Sequence, residues 1–295
     1  MKFKTAVMLF AWSVSAITAV AASMESDPAV PEKILWEPGK ENAYPRWSKD
    51  GEQILYQTNR TGKWQIHIMN RDGTGDRPVM ADDFNNNFVD WSPDNSQIAF
   101  VSDRDGNEEI YTISVDGTGL KRLTQHVARD IHPYFSPDGK SLLFNSNRDD
   151  HMSFEVYRIN ADGTGEERLT YSDEVETCAR FSPDMSQIVM LRGEANDEVY
   201  VCDAGFTQWT NVTNTPSAEG WPAWSHDGKQ IIYSCDESGT FSLYLMDSNG
   251  ANRTRLTYPL SNERDARAQI SPDGSTVVFN RQIGRTIGVF LLQLK

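Results

Sequence analysis

Six Ser-x-Asp pairs recur along the chain: Ser48/Asp50, Ser92/Asp94, Ser136/Asp138, Ser182/Asp184, Ser225/Asp227 and Ser271/Asp273. A hydroxyl beside a carboxylate is raw material for nucleophilic catalysis, but a Ser nucleophile also needs a base within hydrogen-bond reach. No His keeps register with the pairs, and no Gly-x-Ser-x-Gly elbow of a serine hydrolase occurs. Ser and Asp side chains also close turns by bonding nearby backbone. Six copies of one pair are assigned to that structural role.

Each pair follows an apolar anchor: Trp47, Trp91, Phe135, Phe181, Trp224 and Ile270. Five residues ahead of the anchors stand Asn42, Asn86, Asp130, Glu176, Glu219 and Asp265, all amide or acid. Two readings are open for this series. Asp130, Glu176, Glu219 and Asp265 make a ring for Ca²⁺ or another hard cation, which takes several oxygen ligands, or each side chain caps loop backbone in its own repeat. Three residues ahead of the anchors the symmetry fails. Tyr44, Phe88, His132, Cys178, Trp221 and Arg267 occupy equivalent positions with Arg129, Arg180 and Arg264 nearby in sequence. Aromatic and Arg side chains are the usual hot spots of interfaces, so these six are the expected binding residues, or else they fill a channel.

An enzymatic alternative places His132 as a base with Asp130, Glu176 and Glu219 and with Arg267 neutralising a substrate carboxylate, as a lyase requires. His132 is the only His in the series; His67, His126, His151 and His226 are scattered. No Cys-x-x-Cys or clustered His metal spacing is present.

The elements that carry these residues follow from the repeat itself. Successive anchors are 44, 44, 46, 43 and 46 residues apart, and a period of this size signals a repeat architecture. Each unit has the same grammar, clearest in the second. Val89 to Ser92, Gln97 to Ser102, Glu109 to Ile113 and Leu120 to Thr124 are strand-like runs. Pro93-Asp94-Asn95, Asp103-Arg104-Asp105-Gly106-Asn107 and Asp116-Gly117-Thr118-Gly119 are turns between them. Four short strands per unit predict an all-β, six-bladed propeller of antiparallel blades. The sixth unit stops after its third strand, and the orphan Ile34-Leu35-Trp36 precedes the first. An N-terminal strand completing the last blade would close the ring and remove an open edge.

The 295-residue chain has a net charge of −14 and 38% hydrophobic residues. An acidic balance argues against nucleic-acid binding, which needs Lys and Arg against phosphates. Lys2 and Lys4 precede an apolar run over Ala6 to Val20 with a small-x-small pattern at Ala19-Val20-Ala21. Residues 1–22 read as a signal peptide, not a membrane span, residues 23–32 as a linker and residues 33–295 as the propeller. Cys178, Cys202 and Cys235 are an odd set, so at least one thiol is unpaired. A Cys202–Cys235 bridge and three buried thiols are both open.

The pattern Trp-Ser-Pro-Asp-Gly, an apolar strand, Asp-Gly-x-Gly and Arg-Leu-Thr resembles the TolB-type, WD40-like propeller repeat. It is closest over residues 88–124 and 132–170 and extends over all six units. Met185 in place of the turn Gly, Asp203-Ala204-Gly205 at the later turn, and Ile270 in place of an aromatic anchor depart from it. The resemblance implies a periplasmic protein that binds an envelope partner, a peptidoglycan-associated lipoprotein in that family, at the mouth of its central channel. Only a short linker precedes the propeller, where the family's namesake carries an α/β domain. Related repeats occur in oligogalacturonate lyase and prolyl-type peptidases, so a carbohydrate-active enzyme and a small-ligand or cation binder stand as alternatives. No cofactor and a monomeric state are expected.

Overall fold

The computed structural model describes residues 29–149, 153–193 and 196–294. The expected signal peptide, residues 23–28 of the linker and His151 lie outside them. Strands β1 to β24 form six four-stranded antiparallel sheets. Blade 2 runs β6 (Asn86–Trp91), β7 (Gln97–Ser102), β8 (Glu109–Ser114) and β9 (Lys121–Arg122) in spatial order. The innermost strands of the others are β2 (Asn42–Trp47), β10 (Asp130–Phe135), β14 (Val175–Phe181), β18 (Glu219–Trp224) and β22 (Glu263–Ile270).

The Ser-x-Asp pairs build the turn after each innermost strand. In all six, Ser Oγ donates to Asp Oδ1 at 2.5–2.7 Å. The same Oγ accepts the backbone N–H five residues on, from Gln53 in blade 1 to Thr276 in blade 6. Bonds from the Ser hydroxyl and nearby groups hold Asp94, Asp184 and Asp273 down at about 2. These carboxylates are spent as turn acceptors.

The second strands are the core, because their side chains are covered on both faces. Ile54, Leu55 and Tyr56, or Ile231, Ile232 and Tyr233, are fully buried. Apolar clusters run across blade boundaries. Val189 and Leu191 of blade 4 pack with Ile231, Tyr233 and Tyr244 of blade 5. Each blade therefore depends on its neighbours, and the ring must close.

Closure uses the orphan segment. Strand β1 (Glu32–Leu35) pairs antiparallel with β24 (Thr286–Gln293), with Glu32 opposite Leu291 and Lys33 opposite Phe290. The sixth sheet is thus β1-β24-β23-β22, with β23 spanning Thr276–Ile283. Gly288 lets the two ends meet: a Cβ there would lie 2.5 Å from Trp36 Cε3 and 2.7 Å from the Leu35 carbonyl oxygen. Gly288→Ala should therefore destabilise the protein by about 1–3 kcal/mol through overpacking and lower the thermal midpoint by roughly 3–8 °C. An unchanged midpoint in a thermal melt would show that the closing strand does not clamp the ring.

Candidate functional site

The six symmetry-breaking residues share a backbone state. Tyr44, Phe88, His132, Cys178, Trp221 and Arg267 all have positive φ, between 50° and 58°. The ladder slips around each of them, as between Ala43 and Arg46 in β2 or Thr177 and Arg180 in β14. Two residues then face one on the partner strand, a β-bulge that re-aims the side chain. A left-handed conformation at a bulky residue costs on the order of 1 kcal/mol or more. Neighbouring blades hold it in place. Asn280 Oδ1 accepts the Tyr44 N–H at 2.9 Å, Gln57 Oε1 that of Phe88 at 2.7 Å, and Asn145 Oδ1 that of Cys178 at 3.1 Å.

Aimed this way, the six side chains meet in the channel. Tyr44 Oη is 3.4 Å from His132 Nε2, and Cys178 Sγ is 4.0 Å from His132 Nδ1. Phe88 stands edge-on to Tyr44 and to His132, with ring centroids 5.1 and 4.5 Å apart. The Arg267 guanidinium lies over Tyr44 at 4.2 Å and over Trp221 at 4.4 Å. Residues from all six blades thus form one plug. Burial, aided by the charges of Arg267, Arg180 and Arg46, lowers the His132 imidazole to about 3, so it is neutral.

The acidic series sits elsewhere. Asn42, Asn86, Asp130, Glu176, Glu219 and Asp265 are at most 2% exposed. They are engaged within their own blades rather than at an opening. Arg148 donates to both oxygens of Asp130 at 3.0 and 2.8 Å, and Arg281 to both oxygens of Asp265 at 2.7 and 2.8 Å. Arg104 bonds Asn86 at 3.0 Å, and Arg192 Nε is 3.2 Å from Glu176. Blade 5 has Cys235 in reach instead, donating to Glu219 at 3.3 Å, and burial raises Glu219 to about 7. The expectation of a cation ring from Asp130, Glu176, Glu219 and Asp265 is therefore corrected. Among the described residues no three His, Cys, Asp or Glu side chains converge as metal ligands. The physical reason is that each acid neutralises, or hydrogen-bonds with, groups inside its own blade. Cys178, Cys202 and Cys235 are all free buried thiols, so the Cys202–Cys235 alternative is not formed.

Beyond the plug, towards the Ser-x-Asp turns, the channel opens into a cavity of about 480 Å³. Trp47, Trp91, Phe135, Phe181 and Trp224 stand in its wall, and Lys49, Pro93, Pro137, Pro183, His226 and Pro272 around its rim. Asp90, Tyr134, Arg180, Ala223 and Gln269, the residues just before the anchors, line it more deeply. Asp90 Oδ2 accepts the Phe135 N–H at 2.9 Å, and burial raises its carboxyl to about 6. Sequence reasoning singled out Arg180 from this ring but missed Asp90 and Tyr134, and the buried Arg46 at the equivalent place in blade 1. The signal was available, since this position is as mixed in type as the one two residues earlier. A smaller cavity of about 180 Å³ lies at the other opening, lined by Trp221, Phe241, Arg264 and Arg267 among others.

With this geometry in view, the sequence matches the TolB beta propeller domain over residues 45–197 and 176–295. The chain belongs to the TolB β-propeller domain family. Similar solved structures include TolB from Acinetobacter baumannii, at 22% identity and TM-score 0.62, covering 72% of this chain. This chain spans only 53% of that protein's length. A putative TolB from Agrobacterium tumefaciens is similar at 18% identity and TM-score 0.68, covering 90% of this chain and 91% of its own. An oligogalacturonate lyase in complex with manganese shares the fold at 10% identity and TM-score 0.62, covering 91% and 97%. The propeller fold is thus shared with proteins of different descriptions. No helix among the described residues is long and apolar enough to cross a membrane.

The neutral, half-buried His132 has a consequence for stability. The unfolded chain takes up a proton at His132 below about pH 6.5, while the folded chain stays neutral down to about 3. Stability present above pH 6.5 is therefore lost as pH falls from 6.5 towards 3, by up to ~1.4 kcal/mol per unit. Asn tolerates the left-handed backbone and does not titrate. In urea titrations, the stability of wild type relative to His132→Asn should fall with pH across this window; a constant difference would contradict a neutral imidazole held in the plug.

Proposed function

We propose that this TolB-type propeller is a non-catalytic binding protein of the cell envelope, exported to the periplasm, that holds a protein or peptide partner in one mouth of its central channel. The cavity of about 480 Å³ framed by the six turns carries this reading. Its wall of Trp and Phe with a deep Arg is of the type that dominates interface energetics. The plug of Tyr44, Phe88, His132, Cys178, Trp221 and Arg267 backs the cavity and gives a docking segment a rigid end-stop. An envelope lipoprotein is the partner class suggested by the family. The geometry of His132 supports binding over catalysis. Its two ring nitrogens face Tyr44 and Cys178, so neither is presented to a substrate as a base.

Lys49 and His226 are exposed rim residues at the places where other blades carry the turn Pro. A Lys49→Glu/His226→Glu double variant should keep the wild-type melting point yet lose the partner recovered by wild type in affinity capture from envelope extract, scored by mass spectrometry. Unchanged recovery would reject this mouth. Loss of recovery with Trp221→Ala instead would move the docking site to the opposite opening.

A further inference from the structure

Inside the ring the charge balance runs opposite to that of the whole chain. The chain carries −14, yet the Arg180 guanidinium lines the large cavity beside Asp90 and Tyr134, and the buried Arg46 stands behind them close enough to act on both charges. Arg46 is 1% exposed, its Nη1 donates to the Pro45 carbonyl at 3.1 Å, and its Nε and Nη2 have no partner. The Arg46 Nε stops 4.0 Å from Asp90 Oδ1, too long for a hydrogen bond. Arg180 lies over the Tyr134 ring at 4.1 Å and donates to the Tyr134 hydroxyl at 3.0 Å, and its Nε is also unpartnered. Arg46 lies 5.7 Å from the centre of the same ring. Two guanidiniums thus share one ring and one acid, which is already bonded to the Phe135 N–H.

Buried donors without acceptors are costly, and a guanidinium fork matches the two oxygens of a carboxylate. We infer that the base of the channel cavity is a carboxylate-binding site, built by Arg180 on Tyr134 with the charge of the buried Arg46 behind it, that takes an acidic side chain or the C-terminal carboxylate of a docked peptide. The inference rests on the channel-docking reading above and specifies what the docked segment must carry. A peptide fits the walls better than a sugar acid. Sugar hydroxyls need many open polar partners, but the rim Ser hydroxyls are committed to their turn Asp residues. Gln269 Oε1 is likewise occupied by the Trp47 N–H and Asn95 Oδ1 by the Lys49 N–H. What is left open combines aromatic and Pro surface with polar groups, the Arg180 guanidinium among them.

The test uses the full chain and three probes: a hexapeptide of alternating Leu and Glu with a free C-terminus, its Leu/Gln C-terminal amide, and trigalacturonate. Binding is read from the fluorescence of Trp47, Trp91 and Trp224 in the cavity wall. The acidic peptide should bind at least about tenfold more tightly than its neutral twin. Arg180→Met should remove that preference with an unchanged melting point. Asp90→Asn, which keeps an acceptor for the Phe135 N–H and removes a repelling charge, should strengthen acidic-peptide binding, a gain that misfolding cannot mimic. Equal binding of both peptides, no binding of the acidic one at about 5 mM, or indifference to Arg180→Met each overturns the carboxylate site. Arg180-dependent binding of trigalacturonate alone overturns the peptide in favour of a sugar acid. If the carboxylate site fails while the Lys49/His226 double variant still abolishes partner capture, the docking reading stands; if capture is also unaffected, both fall.

Discussion

The antiparallel pairing of β1 with β24 brings segments from opposite ends of the chain into one sheet, and every other contact in the ring presupposes it. Blades bury their second strands only by packing on two neighbours, as in the cluster joining Val189 and Leu191 to Ile231 and Tyr233. An open ring would leave two blade faces wet and a strand edge free to pair elsewhere. Gly288 is the point where this closure is tightest. The acids at the inner ends of the blades serve the same end: they neutralise or hydrogen-bond with groups of their own blade, such as Arg148 or Arg281, and so tie the innermost strand to the second.

The closed ring makes strain affordable at one position per blade. The six bulge residues, Tyr44 to Arg267, adopt left-handed backbone, and side chains of adjacent blades hold several of their N–H groups. The result is a channel blocked in the middle by a tight aromatic and Arg plug and open towards the Ser-x-Asp turns. Electrostatics are divided in the same way. Acidic residues outnumber basic ones by 42 to 28, while Arg46, Arg180 and Arg267 gather in the interior with Asp90 as counterweight. Burial raises Asp90 to about 6, against the opposing pull of the Arg46 and Arg180 charges.

Much of the architecture was legible in the sequence because the repeat provides its own register. The anchors define six blades, the Ser-x-Asp pairs declare the turns, and the missing fourth strand of the last unit points to Ile34-Leu35-Trp36 as its completion. The same register isolates Tyr44, Phe88, His132, Cys178, Trp221 and Arg267 by their failure to repeat. Spacing alone could not say that these six touch one another. Nor could it say that Asp130 and Asp265 are locked to Arg148 and Arg281 rather than open to a cation, or that the larger opening lies on the side of the turns.

Local chemistry, then, was written along the chain: turns, strands and their period depend on residues a few positions apart. Which side chains converge on the axis depends on blades brought together by ring closure, with partners such as Tyr44 and Asn280 separated by 236 positions. The bulges at Tyr44, Phe88 and Cys178 are held by neighbouring blades, and Arg46 and Arg180 come to one ring, Tyr134, only across the channel. Those contacts are set by tertiary geometry, and they decide where the site is.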